Sequence, residues 1–185
     1  MVVPQEPEVV VKELLLKNYP KMKLLAQILI FLISTCSISQ ETMSDLLTKH
    51  NSKSIPYMSV QELAMPKTKA VILDAREIKE YETSHIKDAY YVGYDEFKID
   101  TVSKIIKNKE QNIVVYCSIG IRSEDIAEKL KKAGYTNVFN LYGGIFEWKN
   151  KEFPLYNSEG LETDKVHTFS KEWSHWLKNG IKIYE

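Results

Sequence analysis

With 185 residues, a hydrophobic share of 44% and 25 basic against 25 acidic side chains, the chain has the make-up of one ordinary domain plus a leader or tail. Its zero formal net charge lacks the basic footprint that neutralises phosphates, so no nucleic-acid partner is expected. The two cysteines, Cys36 and Cys117, form no C-x-x-C pair, and His50, His85, His167 and His175 show no metal-ligand spacing, so neither a metal nor a cofactor is expected.

The first organised stretch is Lys21-Met22-Lys23, then an apolar run from Leu24 to Ile33, then Ser34-Thr35-Cys36-Ser37. A basic start, a short apolar run and small polar residues form the layout of a secretory signal, and the run is shorter than the ~20 residues of a membrane span. The expected divisions are therefore an upstream segment 1–21, with Met22 as the true start, and a signal over 22–39. Ile33-Ser34-Thr35-Cys36 also resembles a lipoprotein signal in which Cys36 would be lipidated and anchor the chain to a membrane. Lipidation and plain cleavage both stay open. Residues 40–56 are polar and read as a linker.

From Ser59 a folded pattern begins. Ser59 is placed to cap a short helix through Met65. Ala70 to Leu73 suits a buried strand ended by Asp74, Glu77 to Thr83 a helical turn, and Ala89 to Val92 a second strand. Val102, Ile105 and Ile106 lie on one helix face. Asn112 to Tyr116, rich in β-branched residues, reads as the central strand; Ser123 to Ala133 is the clearest helix, with Gly134 as its stop. Val138 to Leu141 is a further strand, broken by Gly143-Gly144, after which Ile145 to Trp148 starts a short helix. Strands alternating with helices at this spacing imply an α/β domain with a mostly parallel sheet covered on both faces. Residues 156–185, with Trp173, Trp176 and Leu177 at helical spacing, read as an extension packed on the domain, the tryptophans as core.

Cys117 falls where the central strand ends and a helix is about to start, the crevice in which open α/β sheets bind ligands. Ser118, Ile119, Gly120, Ile121 and Arg122 follow, with Ser123 placed to cap the helix. Such a loop can curl its backbone N–H groups toward the sulfur as an anion nest. Gly120 permits the required backbone, the helix N-terminus adds partial positive charge and Arg122 a full one. Together these favour thiolate over thiol and suit a nucleophile.

The run Ile113 to Ser123 resembles the active-site segment of single-domain rhodaneses. Leu73-Asp74-Ala75-Arg76-Glu77, with Glu80-Tyr81, His85-Ile86 and Ala89, resembles a second family signature, and Leu141 to Ile145 with Trp148 and Pro154-Leu155 a third. Ser84 and Asp88 stand where glycines are usual. The resemblance covers 57–155 and implies a three-layer rhodanese-like domain with helices on both sheet faces. It further implies a sulfurtransferase that takes a sulfane sulfur from an anionic donor (thiosulfate, polysulfide or persulfide) onto Cys117 and passes it to a thiol or cyanide. On that reading the segment Ser118–Ser123 cradles the sulfur and Arg122 orients the donor. Asp74 and Arg76 lie near the site or brace the loop as an ion pair, His85 makes a structural hydrogen bond, and Glu80 and Trp148 belong to the scaffold.

Two other readings compete. Cysteine phosphatases need five residues between cysteine and arginine, whereas four separate Cys117 from Arg122. A non-catalytic binding or sulfur-carrier module would share the fold. A signal would place the domain outside the cytoplasm, in a bacterial periplasm or on its membrane, where a chain with one thiol cannot block Cys117 by an internal disulfide.

Overall fold

The structure is a computed structural model that describes Tyr19, Pro20, Lys23, Leu24 and residues 41–184. Most of the expected signal and of the upstream segment, together with the lipidation site Cys36, lie outside the described residues. Two compact units divide at Glu41–Thr42. In the first, Tyr19, Pro20, Lys23 and Leu24 are helical and exposed, and Glu41 is exposed outside any element. The second, 42–185, carries everything below.

The segment read as a linker contains a helix, α1 (Met43–His50), closed by a reciprocal cap: the Thr42 hydroxyl accepts from the Asp45 N–H at 3.1 Å and the Asp45 carboxylate accepts from the Thr42 N–H at 3.1 Å. Leu46 and Leu47 are its buried residues, and Ile55 beyond it is also buried, so the linker expected over 40–56 is corrected to part of the fold.

Five strands, β1 (Tyr57–Met58), β2 (Val71–Asp74), β3 (Tyr90–Tyr91), β4 (Ile113–Tyr116) and β5 (Val138–Leu141), form one parallel sheet in the order β1-β5-β4-β2-β3. The central strand β4 is buried along its whole length, as a strand covered on both faces must be. Its alternating residues feed two cores. Val114 and Tyr116 join Met58, Leu141 and the helices α2 (Val60–Ala64) and α6 (Gly144–Asn150). Ile113 and Val115 join Leu73, Val138 and the helices α4 (Ile99–Ile105) and α5 (Arg122–Lys132). The fold is thus a three-layer α/β domain.

Chain direction decides where a site can form. From β2 the chain goes outward to β3 and then returns on the other side of β2 to β4, so a crevice opens at the carboxyl ends of these two neighbours. Asp74 ends β2, and Cys117 follows the end of β4.

The C-terminal extension adds β6 (Leu155–Tyr156) paired with β7 (Glu162–Thr163), β8 (Lys165–His167) paired with β9 (Ile181–Ile183), and a single 3-10 turn at Trp173–Trp176. Val166, Trp176 and Leu177 are buried in the first core. Trp173 packs only partly against it.

Candidate active site

The loop from Cys117 to Arg122 is fixed from below, from the side and from its own glycine. From below, the N-terminus of α6 donates the Ile145 and Phe146 N–H groups to the carbonyls of Cys117 and Ser118 at 2.9 and 3.1 Å. This approach is so close that a Cβ on Gly144 would overlap those backbone atoms, which is why a glycine stands there. From the side, the Gly120 carbonyl accepts from the amides of Asn140 and Asn51, each at 2.8 Å. Gly120 itself has φ +107°, a conformation side chains with a Cβ rarely adopt.

With its carbonyl so held, Gly120 turns its N–H onto Cys117 Sγ at 3.1 Å. The Ser123 hydroxyl lies 3.5 Å from the same sulfur and donates to Asn140 Oδ1 at 2.7 Å. Ser123 is therefore not the helix cap expected of it. Helix α5 starts one residue earlier, with Ile121 at the cap position, and the buried serine hydroxyl points at the sulfur and Asn140 instead. Asn140 ties the two halves together, holding Gly120 with its amide and Ser123 with its oxygen. No sequence pattern singles it out, because its partners lie 17 and 20 residues away.

Arg122 lies beside the sulfur but not as a free cation. Its Nη1 and Nη2 donate to the two oxygens of Glu80, on helix α3 (Ile78–Thr83), at 2.8 Å each, a bidentate pair with the charge matched on the spot. Burial pushes the Glu80 carboxyl up, but Arg122, with Arg76 and the Glu77 N–H, together more than reverse this, so its pKa lies below the usual glutamate value. Ser118 completes the cluster, donating its hydroxyl to Glu80 at 3.0 Å and accepting from Arg122 at 3.1 Å. The full positive charge that Arg122 brings is thus matched by Glu80, and Glu80, assigned to the scaffold, braces the loop directly.

Asp74 and Arg76 form a fully buried ion pair, Arg76 donating to both Asp74 oxygens and to the Ser84 carbonyl at 2.6 Å. The Tyr116 hydroxyl donates to Asp74 at 2.5 Å, so β2 is fastened to the end of β4 just before Cys117. His85 shares a 3.0 Å contact with the Tyr81 carbonyl, stacks on the Tyr81 ring and pairs its backbone with Tyr156. Of the two glycine replacements, Asp88 takes φ +60° while Ser84 is extended and buried.

Above the sulfur opens a cavity of about 220 Å³. Cys117, Ser118, Ile119, Ile121 and Arg122 line it together with Phe169 and Trp173. Both aromatic residues come from the C-terminal extension. Trp173, expected in the core, is partly buried against it and also lines the cavity, while Trp176 is buried.

A parallel α/β sheet that delivers a cysteine from its central strand into a glycine-shaped, amide-lined loop defines a class of cysteine-loop domains. Within it, a model of the rhodanese-like domain matches residues 59–151, half of the chain, and the chain belongs to that family. Curated relatives include the tRNA uridine(34) hydroxylase of Hamiltonella defensa, 36% identical over 94 residues, and that of Photorhabdus laumondii, 31% identical over 105. These alignments cover 47% and 54% of this chain but only 26% and 30% of the relatives, so the chain matches less than a third of their length. Among solved structures, the thiosulfate sulfurtransferase from Pseudomonas aeruginosa aligns with a TM-score of 0.51 at 24% identity, covering 66% of this chain and 23% of that one. The BH2092 protein from Bacillus halodurans aligns with a TM-score of 0.51 at 21% identity, covering 64% and 89%. At these identities the likeness is one of fold.

Proposed function

We infer that this chain is a sulfurtransferase that carries sulfane sulfur as a persulfide on Cys117. One observation carries the reading: Cys117 Sγ, in the lining of a cavity, receives the Gly120 N–H at 3.1 Å and faces the Ser123 hydroxyl at 3.5 Å. A donor fixed in place before any reaction, here the Gly120 N–H, stabilises a negative sulfur without reorganising, while the Ser123 hydroxyl directs its proton to Asn140. The N-terminus of α5 adds partial positive charge from the same side.

In the first half-reaction the Cys117 thiolate attacks the outer sulfur of a donor. The donor S–S bond breaks, its electron pair leaves with the departing group, and Cys117 keeps a persulfide anion. In the second, a thiolate or cyanide attacks that outer sulfur and the Cys117 thiolate is restored. Ser118 to Ser123 cradle the transferred sulfur, while Asp74 and Arg76 act through the fastening of β2 to β4. No metal or other cofactor enters the scheme. The partners are a small sulfur donor and a thiol, with no nucleic acid. The leader pattern supports work outside the cytoplasm, with Cys36 as a lipid anchor or the signal removed; N-terminal sequencing of the native product distinguishes these.

Intact-mass measurement tests the chemistry. Incubation with thiosulfate, then with a polysulfide, is expected to add one sulfur atom, removable by cyanide and absent in Cys117→Ala. Failure with both donors, on protein shown to hold a reduced thiol, would replace this reading with a binding module. Appreciable turnover of an aryl phosphate would instead favour a phosphatase, against which the four-residue spacing from Cys117 to Arg122 stands.

A further inference from the structure

The cavity over Cys117 is larger than one transferred sulfur requires and has the wrong character for a small dianion. Its volume of about 220 Å³ equals that of roughly seven waters. Ile119, Ile121, Phe169 and Trp173 supply apolar walls. The charged side chain among the lining residues, Arg122, already has its carboxylate in Glu80, and the Phe169 ring lies 5.2 Å from its guanidinium carbon. A thiosulfate dianion entering this space would give up hydration and meet a cation whose charge is matched, which is unfavourable.

Phe169 holds its place against local preference. It has φ +63° and its ring is half exposed, both unusual for a bulky apolar residue. Its N–H donates to His167 Nδ1 at 3.1 Å, which fixes the turn that presents the ring. Strained backbone at the mouth of a cavity is a pointer to function rather than to packing.

Resting on the persulfide reading above, we propose that Phe169 and Trp173 are specificity-determining residues, and that the donor they select is an organic hydropersulfide, R–S–S–H, with an apolar R group. The Cys117 thiolate attacks the terminal sulfur, forming a new S–S bond. The bond between the two donor sulfurs breaks, its electron pair stays with R–S, and the donor's proton leaves with it as R–SH. Cys117 retains the persulfide anion, so charge and electrons balance with no added oxidant or reductant. During attack R lies against the two aromatic rings, while the reacting sulfur meets the Gly120 N–H.

The experiment measures second-order rates of Cys117 persulfidation on the full chain, by quenched intact mass, with benzyl hydropersulfide and with thiosulfate. The wild type is expected to favour benzyl hydropersulfide by at least about tenfold, the scale of discrimination that apolar pocket contacts supply. Phe169→Asn, which tolerates the left-handed backbone and removes the ring, lowers that ratio by about tenfold. Trp173→Ala lowers it in the same direction. Phe169 is half exposed, so its variant decides the matter should Trp173→Ala not fold. Thiosulfate reacting as fast as benzyl hydropersulfide, or a ratio unchanged in Phe169→Asn, overturns the proposal while leaving the sulfurtransferase reading intact. Loading from neither donor removes both.

Discussion

Two buried arginine–carboxylate pairs flank Cys117, and they are built for different ends. Arg76–Asp74 is sealed: neither side chain is exposed, and the Tyr116 hydroxyl and Ser84 carbonyl take up further hydrogen-bonding capacity. Arg122–Glu80 is bidentate as well, yet its arginine is 18% exposed and lines the cavity. Charges taken wholly out of water are held by their mutual attraction, and removing one partner strands the other. A pair at a cavity edge can respond to whatever enters. The first pair secures the sheet, and the second sets the polarity of the site.

Breaking the sealed pair gives the largest effect. Arg76→Met strands Asp74 in the interior and is expected to cost about 3–5 kcal/mol, read as a lower urea midpoint. Sulfur loading then falls only with the folded fraction. Glu80→Gln is smaller, near 2 kcal/mol, because shape is kept and Arg122 can reach the cavity. That variant releases the guanidinium charge, so thiosulfate loading should rise relative to an apolar persulfide.

Acid separates the pairs further. Glu80 has a folded-state pKa below its ordinary 4.5. Its ionisation therefore stabilises the fold above about pH 4.5, and that stability is lost as pH falls through the lower folded value. Urea titrations from pH 5 down to pH 3 should show a shallower acid loss in Glu80→Gln than in the wild type. The smallest effect sharpens the sealed side. Ser84 Oγ is buried with no partner among the described residues, so Ser84→Ala should raise stability by roughly 0.5–1 kcal/mol in the same titration.

The parts of this molecule written locally were legible from sequence. The β-branched run before Cys117, the stripe Ile126, Ala127, Leu130 and the Gly143-Gly144 break all act through near neighbours, and the strand, the helix and the end of β5 follow from them. The close approach of Gly144 to Cys117 and Ser118 does not. Helix α1 escaped notice because it buries only Leu46 and Leu47, too few for a periodicity, although the Thr42…Asp45 capping box was present as a signal. Glu80 read as scaffold because its partner Arg122 is 42 residues away. Asn51, Asn140 and Phe169 gain their roles at the loop only when distant segments meet. Ser123 carried a sound local signal for capping, but the pull of a buried sulfur and Asn140 overrode it.

The clasp on Gly120 carries a consequence for modularity. One of its two amides belongs to Asn51, and the aromatic lining of the cavity comes from Phe169 and Trp173, whereas the family pattern spans 59–151. A graft of that span into another protein would transplant the cysteine, its loop and Asn140. It would leave behind one of the two amides that hold Gly120 and both aromatic residues that line the cavity. In this protein the borders of the matched domain and of the candidate site do not coincide, so substitutions in the flanks can change the cavity while the domain itself stays unchanged.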